Sequence, residues 1–247
     1  PALASEAGLD AVAVTDHDRI HPDLAHPVAE RDGVTLIHGI ELRVEAGDQQ
    51  VDLLGYGARA TDALVDEIDR LQRDRLARGR AIIECVEDRL GLSLPVEPER
   101  GLGRPDIARA VVESDADYDD IGAVFDDLID ESAPCYRARD IPGFERGSAL
   151  LAEACDLVSL AHPLRYPDPA AALDRAPALD AVELHYPYDG SRGHDPGSGP
   201  LDPADVRRVA ERHDLLVTGG SDAHGREIGG IGLDRAEFDA VADALGL

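Results

Sequence analysis

Four short apolar runs in this chain end abruptly in carboxylates or imidazoles. Val12-Ala13-Val14-Thr15 runs into Asp16-His17-Asp18, and Leu36-Ile37-His38-Gly39-Ile40 into Glu41. Leu157-Val158-Ser159-Leu160-Ala161 runs into His162-Pro163, and Leu215-Leu216-Val217-Thr218-Gly219-Gly220 into Ser221-Asp222-Ala223-His224. Taken singly, each polar residue has a plain reading: Asp16 as a helix cap, His162 as a buried imidazole before proline, Asp222 as a turn residue. Taken together they would converge if the runs are parallel strands, because side chains at the carboxyl ends of such strands share one rim. Carboxylates crowded at one rim repel and shift one another's pKa values. A divalent cation relieves that repulsion. Mixed imidazole and carboxylate donors suit zinc, manganese or ferrous iron better than calcium.

The elements that must position these residues follow from the periodicity. Pro1 to Gly8 reads as the end of a helix stopped by glycine. Strands are expected at Leu9–Thr15, Val34–Ile40, Gln50–Tyr56, Leu157–Ala161, Ala181–His185 and Leu215–Thr218, with a short helix ending near Glu30 before an Asp32-Gly33 turn. A long helix starts at Thr61 or Asp62 and continues through Leu64, Ile68, Leu71, Ile82, Val86 and Leu90 to Gly91. Pro105 opens another helix, and Asp119 or Asp120 caps a third through Val124 and Ile129. Helices are further expected at 144–154, near 169–175, from Asp202 to His213, and from Asp234 onward. Six strands, each followed by a helix or loop, give an α/β fold with a parallel sheet, most simply a barrel. The domain reading is a first barrel part at 1–60, a mostly helical insertion at 61–140, and a second barrel part at 141–247.

Charge excludes several partners. The 247 residues carry 51 Asp+Glu against 24 Lys+Arg, a formal net charge of −27, and every one of the basic residues is arginine. Such a chain does not adhere loosely to nucleic acid or anionic membrane. It has the surface expected of a protein kept soluble in concentrated salt. Arg70, Arg73, Arg75, Arg78 and Arg80 form a face on the long helix; it reads as a solvated, ion-paired surface, with a phosphate-attracting wall as the alternative. Cys85, Cys135 and Cys155 are odd in number and lack close spacing, so no disulfide framework and a reducing, cytoplasmic setting are expected. No apolar run approaches membrane-spanning length.

The ordered set Thr-Asp-His-Asp, Gly-Ile-Glu, Ala-His-Pro and Gly-Gly-Ser-Asp-Ala-His-Gly resembles the PHP (polymerase and histidinol phosphatase) superfamily, specifically its single-domain nucleotide phosphoesterase branch. The resemblance covers essentially the whole chain. It implies a distorted (β/α)7 TIM-like barrel holding two or three divalent ions, Mn²⁺, Zn²⁺ or Fe²⁺ with Mg²⁺ also possible. Asp16, His17, Glu41, His162, Asp222 and His224 match the family's metal ligands, with Glu41 as the bridging carboxylate. His17 and His224 are the candidates for catalytic proton transfer. Gly103-Arg104-Pro105-Asp106-Ile107-Ala108-Arg109 matches a segment whose arginine, Arg104, would face the substrate phosphate.

Three departures qualify the match. The family's first-strand His-x-His pair has no counterpart, so a segment upstream of Leu3 is expected to be missing. Asp52 stands where the family has a ligand histidine, and aspartate can still bind metal. Asp106 replaces another family histidine. The implied activity is hydrolysis of nucleotide phosphomonoesters of the 3′,5′-bisphosphate type by metal-activated water. The alternatives are a 5′-3′ exonuclease on RNA or DNA ends, and a degenerate barrel that only binds metal or a partner. The expected partner is thus a phosphorylated small molecule or a nucleic-acid end, with no membrane and no stable nucleic-acid complex. His38 reads as structural, and His185 and His194 as surface loop residues near the rim.

Overall fold

The computed structural model describes residues 1–99, 102–188 and 201–247. His194 and most of the glycine- and proline-rich loop expected at 183–200 lie outside the described residues. The chain divides into two compact units, one of Pro1–Val65 with Ile141–Leu247 and one of Asp66–Asp140.

The first unit is built on a seven-stranded mixed sheet. Its strands are β1 (Ala11–Val14), β2 (Val28–Arg31), β3 (Val34–Ala46), β4 (Gln49–Tyr56), β5 (Leu157–Leu160), β6 (Ala181–His185) and β7 (Leu216–Gly219). Their order is β1-β3-β4-β5-β6-β7, with β2 also paired to β3. The pairs β1·β3, β5·β6 and β6·β7 are parallel. Two expectations are corrected here. The short helix before Glu30 is instead the strand β2, antiparallel to β3. Asp32 (φ 55°) and Gly33 (φ 75°) both take left-handed geometry, the turn that folds a strand straight back on its neighbour. The sheet is also not wholly parallel. Only Gly47 and Asp48 separate Ala46 from its cross-strand partner Gln49, and so short a link forces antiparallel pairing. β4 consequently runs antiparallel to both β3 and β5.

Helices α1 (Ala2–Glu6), α5 (Phe144–Ala154), α6 (Pro169–Leu173), α7 (Pro203–His213) and α8 (Arg235–Leu245) belong to this unit. Their starts follow local chemistry. Asp168, Asp202 and Asp234 each accept backbone N–H bonds from the first turn of the following helix. Ile40, Leu42, Val44, Leu53 and Leu160 are fully buried at the centre of the sheet. Strands this apolar leave little choice of face, and the polar residues at their ends are carried to the edge of the core.

The second unit is helical. α2 (Asp62–Leu90) begins in the first unit and supplies most of its length here, followed by α3 (Arg104–Val112), α4 (Ile121–Val124) and a wide helical turn at Phe125–Ile129. Thr61 Oγ1 accepts the Leu64 N–H at the start of α2, and Gly91 (φ 68°) ends it. The core is Ile82, Val86, Ile107, Val111, Val124, Leu128 and Ile129 with their neighbours. Asp106 accepts the Gly103 N–H at 2.9 Å and pairs with Arg109, so it caps α3. On the arginine face, Arg70 is held by Glu67 and Asp140, both at 2.6 Å. Arg78 is half-buried, and burial pushes its guanidinium down to about 10.

The cysteine expectation is also corrected. Cys85 and Cys135 form a disulfide, with Cα atoms 5.6 Å apart, and only Cys155 is free. A bridge between residues 50 apart leaves no local spacing signature. It arises because α2 packs against the chain that follows the wide turn. By the loop-closure argument it stabilises the helical unit by about 4 kcal/mol. Among the described residues no helix is long and apolar enough to cross a membrane.

Candidate metal centre

Past the end of β1 the chain keeps pairing with β3. Asp18 N–H donates to the Glu41 carbonyl at 2.8 Å, Glu41 N–H to the Asp16 carbonyl at 3.1 Å, and His17 lies directly beside Glu41. His17 Nδ1 is thereby 2.9 Å from Glu41 Oε2. From the other side, β5 delivers His162, whose Nε2 is 3.2 Å from Glu41 Oε1 and 3.7 Å from Asp52 Oδ2. Glu41 thus offers one carboxylate oxygen to each of two imidazoles. Ligand atoms of Glu41, Asp52 and His162 all fall within 4.8 Å of one another, and all three residues are buried.

The turn after β7 brings the last pair. Gly219 makes the approach possible, because a Cβ there would stand 2.5 Å from His185 Cβ. Asp222 accepts from the Tyr186 hydroxyl at 2.9 Å, and Arg165 Nη1 lies 3.4 Å from the same oxygen. His224 Nδ1 is 2.9 Å from the Asp222 carbonyl, and its Nε2 is 3.1 Å from His17 Nε2. These distances assign tautomers. A carbonyl can only accept, so His224 carries its proton on Nδ1. Glu41 is held ionised, so a neutral His17 carries its proton on Nδ1 as well. Both Nε2 atoms then present lone pairs to each other. That contact is repulsive unless a proton or a cation stands between them.

The donor set fits a metal on this ground and on distance. Imidazole nitrogens and carboxylate oxygens about 2.1 Å from a common ion lie roughly 3.0–3.4 Å apart. Two donor pairs, His162 Nε2 with Glu41 Oε1 at 3.2 Å and His17 Nε2 with His224 Nε2 at 3.1 Å, fall in that range.

Backbone strain concentrates here. Of the described non-glycine residues with positive φ, Asp18 (50°), His162 (25°) and Asp222 (48°) belong to this cluster, and Asp32 and Asp214 to turns elsewhere. Such conformations persist where surrounding contacts over-determine them.

The electrostatics are tightly coupled. Burial alone would raise the Glu41 carboxyl, but hydrogen bonds from His162 and His17 hold it well below the usual carboxylate range. The Glu41 hydrogen bond raises His17 above its ordinary value against the effect of burial. For His162 burial acts downward, and Glu41, Glu183 and Asp52 overcome it to give a net rise. Glu183, fully enclosed, is pushed up to about 7 by burial.

His17, Glu41, Asp52, His162, Asp222 and His224 line one open cleft of about 660 Å³ together with Arg43, Arg165 and Arg226. Asp16 contributes its carbonyl to the pairing above, while its carboxylate turns outward onto Arg19 at 3.0 Å. Asp52 is gripped by Arg43, whose Nε and Nη2 donate to its two oxygens at 2.7 and 2.6 Å. A cation at Asp52 therefore competes with a guanidinium. Arg104 belongs to the helical unit, where its guanidinium lies over the Phe125 and Tyr136 rings and donates to the Ile129 carbonyl. His38 is buried, and burial lowers its pKa. His185 is bound by Glu237 at 2.8 Å.

Sequence reasoning missed Arg43, Arg165, Tyr186 and Glu183. Glu183 had a visible signal, a charged residue in the middle of the apolar run Ala181-Val182-Glu183-Leu184. Arg43 had none, because its role depends on the hairpin register Arg43↔Asp52.

No protein-family model matches the chain, and no curated protein matches it. Solved structures do superpose on it. One is from Bifidobacterium adolescentis and is described as a metal-dependent phosphoesterase; it matches with a TM-score of 0.70 and 24% identity over 98% of this chain and 88% of that one. Another is an amidohydrolase from Chromobacterium violaceum with bound sulfate and no metal, with a TM-score of 0.72 and 22% identity over 98% of this chain and 89% of that one. At these identities the likeness is one of fold.

Proposed function

We propose that this protein is a metal-dependent phosphoesterase that hydrolyses phosphomonoesters of nucleotides, with nucleoside 3′,5′-bisphosphates as the substrate class. The observation that carries the reading is the placement of Glu41 between His17 and His162, one carboxylate oxygen to each. Glu41, His17, His162, Asp222 and His224 would hold two divalent cations, with Asp52 as a further donor were Arg43 to yield it. The fold of the neighbours, one described as a metal-dependent phosphoesterase and one holding sulfate, is in keeping with a site for a tetrahedral anion.

The sheet is read as the wall of a distorted seven-stranded barrel. His17 follows β1 and His224 follows β7, the two ends of the strand order, yet their rings meet. That contact supports a sheet curving round upon itself.

Bound cations supply positive charge to the phosphoryl oxygens and acidify water at the site. The remaining work falls to side chains. Arg165 and Arg226 line the cleft and orient the phosphate. Tyr186 holds Asp222, and Asp222 holds His224 through its carbonyl. Whichever of His17 and His224 is not committed to a cation would deliver a proton, from the mouth of the cleft, to the leaving alkoxide oxygen.

The test is release of inorganic phosphate from nucleoside 3′,5′-bisphosphates in the presence of Mn²⁺. Silence across Mn²⁺, Zn²⁺, Fe²⁺ and Mg²⁺ would overturn the reading. A parallel panel of 5′-phosphorylated oligonucleotides separates this activity from exonucleolytic trimming by the same chemistry.

A further inference from the structure

We infer that Glu183 is a positioning residue for the metal centre: its buried carboxylate clamps the backbone of His162 in a left-handed conformation and so aims the imidazole at Glu41 and Asp52. The inference rests on reading the cleft as a metal centre and adds a residue that holds one of its ligands in place.

His162 has φ 25° and ψ 59°, a conformation that a residue with a Cβ adopts only when held there. Pro163 follows it, and a proline biases the residue before it toward extended backbone. Two bonds oppose that bias. The His162 N–H donates to Glu183 Oε2 at 2.7 Å, and the His162 carbonyl accepts the Arg165 N–H at 3.0 Å. The second is a local turn bond within residues 162–165. The first ties the turn to a different strand.

A metal-ligating histidine is ordinarily oriented through its other ring nitrogen, which donates to a carboxylate or carbonyl. His162 departs from this. Its Nε2 faces Glu41 and Asp52, while its Nδ1 is buried with no hydrogen-bond partner among the described residues. The ring is packed between Tyr166 and Tyr186, with centroids 5.4 and 5.3 Å away. Its direction is therefore set from the backbone, and the Glu183 bond fixes the backbone. Glu183 is itself fixed by register: Val182 pairs with Leu160 across the parallel β5·β6 ladder, which brings Glu183 level with the approach to His162. The potential ligand group is Glu41, Asp52 and His162, so the part assigned to Glu183 is to place a ligand.

The experiment compares the intact protein with its Glu183→Gln, Glu183→Ala and Glu183→Leu variants by titration with Co²⁺. Affinity is read by competition with a chromophoric chelator, and ligand geometry from the visible absorption of the bound ion. Glutamine keeps an oxygen that accepts the His162 N–H, so E183Q should bind Co²⁺ within about threefold of wild type with the same spectrum. Alanine and leucine remove the acceptor, and both should lose about 10–100-fold in affinity with an altered spectrum. Leucine keeps the volume filled should the alanine variant collapse. Wild-type affinity and spectrum in E183A or E183L would overturn the clamp, as would a loss in E183Q equal to theirs. A set in which only E183Q folds, with wild-type binding, would assign Glu183 to the fold alone. If the wild-type protein takes up no Co²⁺, the metal-centre reading fails first and the clamp with it.

Discussion

Arg43 and Asp52 stand opposite each other in the β3·β4 ladder and are joined by two N–H···O bonds of 2.7 and 2.6 Å. The carboxylate is buried and the guanidinium is over a third exposed. The pair thus holds in place a carboxylate that also faces His162. Removing the cation leaves that carboxylate uncompensated. Arg43→Gln should destabilise the metal-free protein by about 2–3 kcal/mol, below the 3–5 kcal/mol of a fully enclosed pair because water already screens Arg43. It should also free Asp52 for metal. The melting temperature of R43Q should therefore rise more on adding Mn²⁺ than that of wild type; equal rises would show that Asp52 takes no part in binding.

Glu41 is the shared neighbour of His17 and His162. Glu41→Gln replaces one anionic oxygen by an amide nitrogen that cannot bind metal. Metal affinity should fall by at least about 100-fold, since even partners outside the ligand set cost 10–100-fold. Metal content after dialysis and phosphate release should fall together. Undiminished turnover in E41Q would remove Glu41 from the centre.

Metal and pH act in opposite directions on stability. His17 and His162 have folded pKa values raised above 6.5, so in the chelated protein their contribution is fully present below pH 6.5 and is lost as pH rises through the folded values. Protonated imidazoles cannot bind metal, so metal affinity rises over the same interval. Denaturant midpoints of chelated protein should fall from pH 6 upward while the gain from Mn²⁺ grows. At 100 times Kd the gain is about 2.7 kcal/mol. A pH-independent gain would argue against histidine ligation.

Thiol counting checks the cysteine assignment. Burial pushes Cys155 up to about 12, and it should not react with a disulfide reagent at pH 8 in the native protein. Unfolding without reductant should expose one thiol, and reduction all three. Two further thiols before reduction would show that Cys85 and Cys135 are not joined. The Cys85→Ser/Cys135→Ser variant should lose about 4 kcal/mol from the helical unit.

Net charge makes a separate prediction. With a formal charge of −27, repulsion across the surface is strongest when it is least screened. Urea midpoints should climb from low to multi-molar KCl. A steady decline would indicate an ordinary acidic protein.

Much of the fold was legible because its signals are local. Apolar runs of four to six residues mark strands, and glycine or aspartate beside a helical period marks where helices stop and start. α5, β6 and α7 fall where periodicity and caps place them. The departures turn on strand register and on packing between elements rather than on the local period. Residues 28–31 are too short a run to carry a period of their own; the Asp32-Gly33 turn makes them a strand by folding them back on β3.

The sequence by itself determined which residue types sit at strand ends, and hence that imidazoles and carboxylates gather where apolar strands stop. Tertiary structure alone decided which of them meet. Glu41 lies between His17 and His162, Arg43 occupies Asp52, Glu183 takes the His162 N–H, and Cys85 finds Cys135. The reason is physical. Alternation and capping act over a few residues and are written in the chain, whereas pairings across a ladder or between packed elements depend on register and on the burial of both partners, which exist only once the chain has folded.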